Sequence, residues 1–226
     1  METFSAEFFM ALGSIIILDL ALAGDNAVVI AMAANRLSAK ARHKAIFIGT
    51  AGAVVIRLAL TFVAVWLLTI PYLQFIGGLI LLPIAIGLLA PSHETKDVQA
   101  ADNLMGAVKT ILIADATMSL DNVLSIAGAA NGHFGLVAMG LLISIPIVVG
   151  GSTLISSIMD RFPVVMYVGA AIIGWTSGKM MIEDGALGGT LVSTMGGWIV
   201  YGLPAFLAAL VCLIGWLRSK KQKAVK

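Results

Sequence analysis

Charge is scarce in this chain: Lys, Arg, Asp and Glu together make up 12% of 226 residues, about half the share of an ordinary soluble domain. So few charges cannot cover a water-facing surface, which excludes a soluble globular domain. Cysteine is scarcer still. The single Cys212 excludes an intramolecular disulfide and any thiolate metal cluster. His43, His93 and His133 fall in three different connections without ligand spacing, so no shared imidazole site is expected. No nucleophile, base and orienting group stand together. The glycine-rich stretch 185–197, expected as a loop, has no phosphate-loop lysine after it. The 14 basic and 12 acidic residues nearly cancel, so the net charge of +2 points to no nucleic-acid partner. The start of the chain is too long and too acidic, with Glu2 and Glu7, for a cleaved signal peptide, whose charged leader is basic.

What is abundant is apolar. Hydrophobic residues form 60% of the chain, roughly 136 residues, which at about 20 per crossing is material for about seven spans. Uncharged runs broken by turn residues predict helices over 8–34, 45–70, 73–90, 105–130, 134–159, 164–181 and 196–217. The fold class is therefore all-α, a polytopic membrane protein with a single transmembrane domain over 1–226. Arg36, Lys40, Arg42, Lys44, Lys96, Arg161 and the tail residues Arg218, Lys220, Lys221, Lys223 and Lys226 all fall on one side of such a bundle. The connections around Pro71-Tyr72, Asn131 to His133 and 182–195 carry no Lys or Arg. The positive-inside rule then places the amino terminus outside and the carboxyl terminus in the cytoplasm. The basic tail reads as this orientation signal, and lipid as the surrounding solvent rather than a specific ligand.

The chain also repeats itself. Residues 19–35 aligned with 115–131 match at eight of seventeen positions, including both Asp and the Asn of Asp19-x5-Asp25-Asn26 and Asp115-x5-Asp121-Asn122. Each half, 8–90 and 105–181, holds three predicted helices. Three is odd, so the second copy enters from the opposite side and the halves are expected as inverted repeats, with 196–217 as a seventh helix outside the symmetry.

Five charges lie deep in predicted spans: Asp19, Asp25, Arg57, Asp115 and Asp121. At roughly +2.5 to +3.5 kcal/mol each at mid-helix, the four acids cost on the order of 10 kcal/mol before pairing. Four acids against one base leave a negative charge that a cation or protons must cancel. The alternative is that the acids pair with Arg57 and each other only to fix helix packing. Arg57 lies about 12 residues, or ~18 Å, from either end of its span, too far to snorkel, so a salt bridge to one of the four Asp is expected, with gating as a sharper role. Lys109 and Lys179 read as snorkelling residues near span ends; Lys179, on the side poor in positive charge, is also a gating or charge-pairing candidate. On a straight helix Asp19 and Asp25 would point roughly 120° apart and lie ~9 Å apart along the axis. A break is expected at Gly24, and another near Thr117 and Ser119, whose hydroxyls can rescue freed backbone groups. Bent helices would let Asp25-Asn26, Asp121-Asn122, Asp19 and Asp115 offer six oxygens, the hard set favoured by Mn²⁺ or Mg²⁺. Met32 and Met118 beside these motifs read as apolar filler rather than a Cu(I) path, and Gly77-Gly78 and Gly150-Gly151 as close helix contacts.

The segments LDLALAGDNAVVIAMAANR and IADATMSLDNVLSIAGAANG resemble the paired acidic motifs of the TerC family of bacterial integral membrane proteins, over essentially the whole chain. Longer members carry Asp-Ser where this chain has Asp121-Asn122, so it looks like the short branch. The resemblance implies a place in the bacterial cytoplasmic (inner) membrane, kinship with lysine-exporter-like transporters of three-helix inverted repeats, and an association with Mn²⁺ efflux and metal or tellurite resistance. It makes Asp19, Asp25, Asn26, Asp115, Asp121 and Asn122 the ion-site positions. The expected function is export of a hard divalent cation, Mn²⁺ first, by alternating access, with no prosthetic group and no enzymatic activity. A homo-oligomer, or membrane or exported proteins that receive the metal, are the further partners. Three rivals stand beside it. Export of an amino acid or similar solute predicts a roomier, less acidic pocket; an intramembrane aspartyl protease wants Tyr-Asp and Gly-x-Gly-Asp, which Ala-Gly-Asp25 and Ser-Leu-Asp121 do not supply; metal delivery without transport would use the same site.

Overall fold

The computed structural model describes residues 6–63, 67, 70–89, 100–129 and 133–223, without the side chains of 100–103, 121, 124, 125, 127–129 and 221–223. The expected turn at Asn131-Gly132, His93, Lys96 and part of the 45–70 span lie outside them. Among the described residues there are nine helices and no strand: α1 (Ala6–Leu22), α2 (Gly24–Ala34), α3 (Ala39–Phe62), α4 (Leu73–Leu89), α5 (Ala100–Ala129), α6 (Phe134–Arg161), α7 (Val164–Glu183), α8 (Gly188–Met195) and α9 (Ile199–Lys223). Four of them, α3, α6, α7 and α9, are long and apolar enough to cross a membrane singly, and α1 with α2, bent by 50° at their junction, are so together, as a broken span or a re-entrant loop. The shorter α4 is apolar over its 17 residues. Phe47, Val55, Phe62, Leu154, Val168 and Phe206 point outward. Helices apolar on their outer as well as inner faces suit hydrocarbon as solvent, and the chain is a polytopic helical membrane protein.

The expected break at Gly24 is present, so 8–34 forms two helices rather than one. Ala23 leaves helical geometry at φ −89°, ψ 1°, and α2 restarts at Gly24. The expected break in the second copy is absent: α5 runs unbroken through Thr117 and Ser119. Leu120 stands there in place of Gly24, and the hydroxyls are used within the helix, Thr117 Oγ1 donating to the Ile113 carbonyl at 2.7 Å and Ser119 Oγ to Asp115 Oδ2 at 3.2 Å. The 185–197 stretch is not a plain loop either. Its glycines flank Thr190–Met195, which continue α8, and Gly196 at φ 88° ends it. Asp184 accepts the Ala186 and Leu187 N–H groups, both at 3.0 Å, before α8 begins.

Side-chain ties show which helix ends lie together. At one end, Arg42 at the start of α3 pairs with Asp160 at the end of α6, and Arg36 donates to the Gly87 and Leu88 carbonyls at the end of α4, at 3.2 and 3.0 Å. At the other, the Phe62 and Phe134 rings lie 5.0 Å apart, and the Phe75 N–H donates to Asp184 Oδ2 at 3.2 Å. The main core joins α2, α4, α5, α6, α7 and α9 through Met32, Leu81, Met118, Met159, Ile173 and Val211, so both motif-flanking methionines are core residues.

Close approach of α4, α7 and α9 requires glycine. A Cβ on Gly78 would stand 2.5 Å from the Ser177 carbonyl oxygen, and one on Gly178 the same distance from Pro204 Cα. Gly150 and Gly151, expected at a contact, would meet nothing within 4 Å. Gly178→Leu should therefore lower stability by about 1–3 kcal/mol through overpacking, and Gly150→Ala should leave it equal or up to about 1 kcal/mol higher. Unfolding in detergent checks both.

Candidate functional site

Arg57 sits in mid-bundle because α3 carries it there, and its partners come from two other helices, α1 and α5. One guanidinium nitrogen, Nη1, pairs with Asp19 Oδ1 on α1, and Nη2 donates to Asp115 Oδ1 on α5 at 2.8 Å. Nε–H donates to Ser119 Oγ at 3.0 Å. Ser119 turns its own proton to Asp115, and Ser144 on α6 donates to Asp19 Oδ2. The expected single salt bridge is thus a double one. Asp19, Arg57 and Asp115 are each no more than 4% exposed. A planar guanidinium has donors enough to bridge two carboxylates and a hydroxyl at once. With both carboxylates ionised the triad keeps one net negative charge, away from water that could screen it.

Beside the triad lies a cavity of about 20 Å³, room for about one water-sized particle, lined in part by Asp19, Asn26, Thr50, Arg57, Asp115 and Ser144. Two of these linings are not internally satisfied. Neither Oδ1 nor Nδ2 of the buried Asn26 has a hydrogen-bond partner, nor has Thr50 Oγ1. Buried polar groups are nearly always paired, so such an amide and hydroxyl on a cavity wall call for a specific reason.

The other sequence-predicted residues fall nearby but not into one cluster. Asp25, past the bend, accepts the Asn26 N–H at 2.9 Å and the Thr176 hydroxyl of α7 at 3.2 Å. Asn122 Nδ2 donates at 3.4 Å to the Leu22 carbonyl, at the end of α1. The Asp121 side chain lies outside the described residues. Among those described, no three His, Cys, Asp or Glu side chains converge on a metal-sized point; the triad offers two carboxylates, and its remaining oxygens are amide and hydroxyl. Lys179 takes no part in the triad, since it faces Glu183 one turn along the same helix at 3.6 Å with both side chains about half exposed, an arrangement of little energetic consequence. A larger cavity of about 270 Å³, lined by Leu67, Ile70, Gln74, Leu120 and Asp184 among others, lies toward the end away from Arg42.

Thr50, Ser144 and Thr176 escaped the sequence reading because a hydroxyl barely alters hydropathy and its partner can be 125 or 151 residues away. The available signal was polarity inside the charge-free run 122–159, where Ser144, Ser152 and Ser156 interrupt apolar residues.

Fold and site together define a polytopic membrane protein with a buried ionic cluster at its centre. Residues 4–223 match the Integral membrane protein TerC family, and the chain belongs to that family. It is 41% identical over 207 residues to the "Uncharacterized membrane protein YjbE" of Bacillus subtilis, covering 92% of this chain and 94% of that one. It is 27% identical to the "Uncharacterized membrane protein YkoY" of the same organism, over 89% and 69% of the two chains. Against the "UPF0053 inner membrane protein YgdQ" of Escherichia coli the identity is 25%, over 78% and 81%. No solved structure matches.

Proposed function

We propose that the protein is a secondary transporter, not an enzyme, that exports a hard divalent cation, Mn²⁺ first, through the bacterial cytoplasmic membrane. In this reading the seven spans form two inverted three-helix halves with a seventh helix outside them, and the end holding Arg42 faces the cytoplasm. Asp25 and Asn122 lie off the small cavity's wall in this structure, so the ion-bound state brings them onto it: there Asp25 and Asp121 with Asn26 and Asn122 bind the ion, and Asp19 and Asp115 complete the site. The observation that carries it is the buried triad of two carboxylates on one guanidinium beside a one-particle cavity where the Asn26 amide and Thr50 hydroxyl have no partner. All the polar groups on that wall that can bind a cation do so through oxygen, or the carbonyl of an amide, which suits Mn²⁺ or Mg²⁺ and not Cu²⁺ or Zn²⁺. Room for one water-sized particle suits a bare ion and not an amino acid. The larger cavity, whose wall includes Leu120 beside Asp121, is the outer vestibule of the same path.

The test is cellular metal content under Mn²⁺ load. Expression of the wild type should lower it, and Asp25→Asn or Asp121→Asn should return it to the vector control; wild-type lowering by both variants overturns the proposed site. Metal delivery without transport is separated by Mn²⁺ flux in proteoliposomes of the purified protein, which only a transporter shows.

A further inference from the structure

The ionic triad and the Arg42 end of the bundle are joined by one seam between α2, α3 and α6. On α6, Ser144, Val148, Ser152, Ser156 and Asp160 recur every four residues and so form one ridge ~24 Å long that winds about 160° around the helix. On α3, Arg42, Ile46, Thr50, Ala53 and Arg57 recur at spacings of four and three, in the opposite chain direction. The two faces meet at both ends. Arg42 pairs with Asp160 at one, and Arg57 and Ser144 share Asp19 at the other. From α2, Asn26 and Ile30 line the small cavity, and Asn35, just past the helix end, ties off the far end: its Nδ2 donates to the Ser156 carbonyl at 3.3 Å and to Asp160 Oδ1 at 3.2 Å, while its carbonyl accepts from Arg42 Nη2 at 2.7 Å.

The hydroxyls along this seam behave differently from their neighbours. Thr50, Ser152 and Ser156 are each 3% exposed or less, and none of the three has a hydrogen-bond partner. A hydroxyl in an apolar helix ordinarily satisfies itself on the carbonyl one turn back. Thr153 and Ser157 on the same helix do so, donating to the Val149 and Thr153 carbonyls at 2.8 and 2.9 Å. The unpartnered hydroxyls stand on the α3 and α6 segments between the cavity and Asp160, where Ile30, Ala34 and Ile46 pack in one buried cluster with Val148 against it.

We infer that the α2–α3–α6 seam is the route by which the cation passes between the cytoplasm and the central triad, and that Asn35, Arg42 and Asp160 are the latch that closes it. This rests on the transport reading above. Free hydroxyl and amide oxygens stand in for the hydration shell that an ion sheds in a narrow passage. Asp160 attracts the cation to the mouth, and Arg42 occupies that carboxylate while the seam is shut. Opening requires Arg42 to leave Asp160, after which α3 and α6 can separate.

Cysteine accessibility tests this directly, because Cys212→Ser removes the one native thiol. In that background Ser152→Cys and Ser156→Cys are near-isosteric probes, and Leu154→Cys, on the lipid-facing side, is the control. Inside-out vesicles are treated with a charged, membrane-impermeant methanethiosulfonate. Breaking the latch with Asp160→Asn or Arg42→Gln should raise the labelling rate of both seam cysteines by about fivefold or more, leave Leu154→Cys unchanged, and Mn²⁺ should slow the seam reaction. Seam rates that stay at the Leu154→Cys level with the latch broken overturn the route. Labelling needs no flux, so a seam that opens in a protein moving no Mn²⁺ supports the route and overturns the transported ion instead.

Discussion

Arg57→Met is expected to cost the folded protein about 3–5 kcal/mol, because it leaves Asp19 and Asp115 facing each other without their shared counter-charge. Both carboxylates are almost fully buried, and each is also committed to a hydroxyl, Ser144 for Asp19 and Ser119 for Asp115, so neither can turn to water. The net charge of the cluster moves from one negative to two. Adding Asp19→Asn to Arg57→Met brings it back to one, and the double variant should recover about half of the loss or more. Arg57→Lys should recover less, since an ammonium cannot spread its donors across two carboxylates and Ser119 in one plane. Unfolding in detergent of the wild type, Arg57→Met, Asp19→Asn and the double variant gives the Arg57–Asp19 coupling energy as a double-mutant cycle. If Arg57→Met unfolds like the wild type, the triad is not what holds α1, α3 and α5 together.

The parts of this architecture legible in the sequence are those in which one residue's solvation dominates. Long apolar runs located α4, α6 and α7 to within two residues at either end and α3 and α9 with ends up to eight and six residues away, and a charge without an interface in reach required Arg57 to have acidic partners. The break at Gly24 was legible because glycine is the weakest link of a helix; the false break at Thr117 and Ser119 came from reading hydroxyls as rescuers of a freed backbone when no glycine freed it. The helix α8 was hidden because glycine count says nothing about where the glycines stand, and here they open the helix and follow it, leaving Thr190–Met195 free of them. Least legible was the division of labour among the acids. The sequence repeat makes Asp19 equivalent to Asp115 and Asp25 to Asp121, but the bend of α1 against α2 has no counterpart in α5. Asp19 and Asp115 go to Arg57, while Asp25 goes to Thr176, a partner with no motif of its own.

Asn26→Leu is expected to make the protein more stable and inactive. The amide is buried with both polar atoms unpaired, a condition that costs about 1–3 kcal/mol, and a leucine of similar size would remove that cost and fill part of the 20 Å³ cavity. A gain of about 1–3 kcal/mol in detergent unfolding should accompany cellular Mn²⁺ at the level of the vector control. Asn26→Asp separates the two effects further. It adds a second uncompensated negative charge to the triad's one, so the protein without metal should be weaker than the wild type. The same charge should make its stability depend on divalent cation, with about 2.7 kcal/mol returned at a Mn²⁺ concentration 100 times the dissociation constant. A melting temperature of Asn26→Asp that does not move with Mn²⁺, together with loss of stability in Asn26→Leu, would mean that Asn26 is a packing residue and that the cation binds elsewhere. The opposite pair of results is what a residue gives when it is kept in the membrane for its ligand and at the expense of its fold.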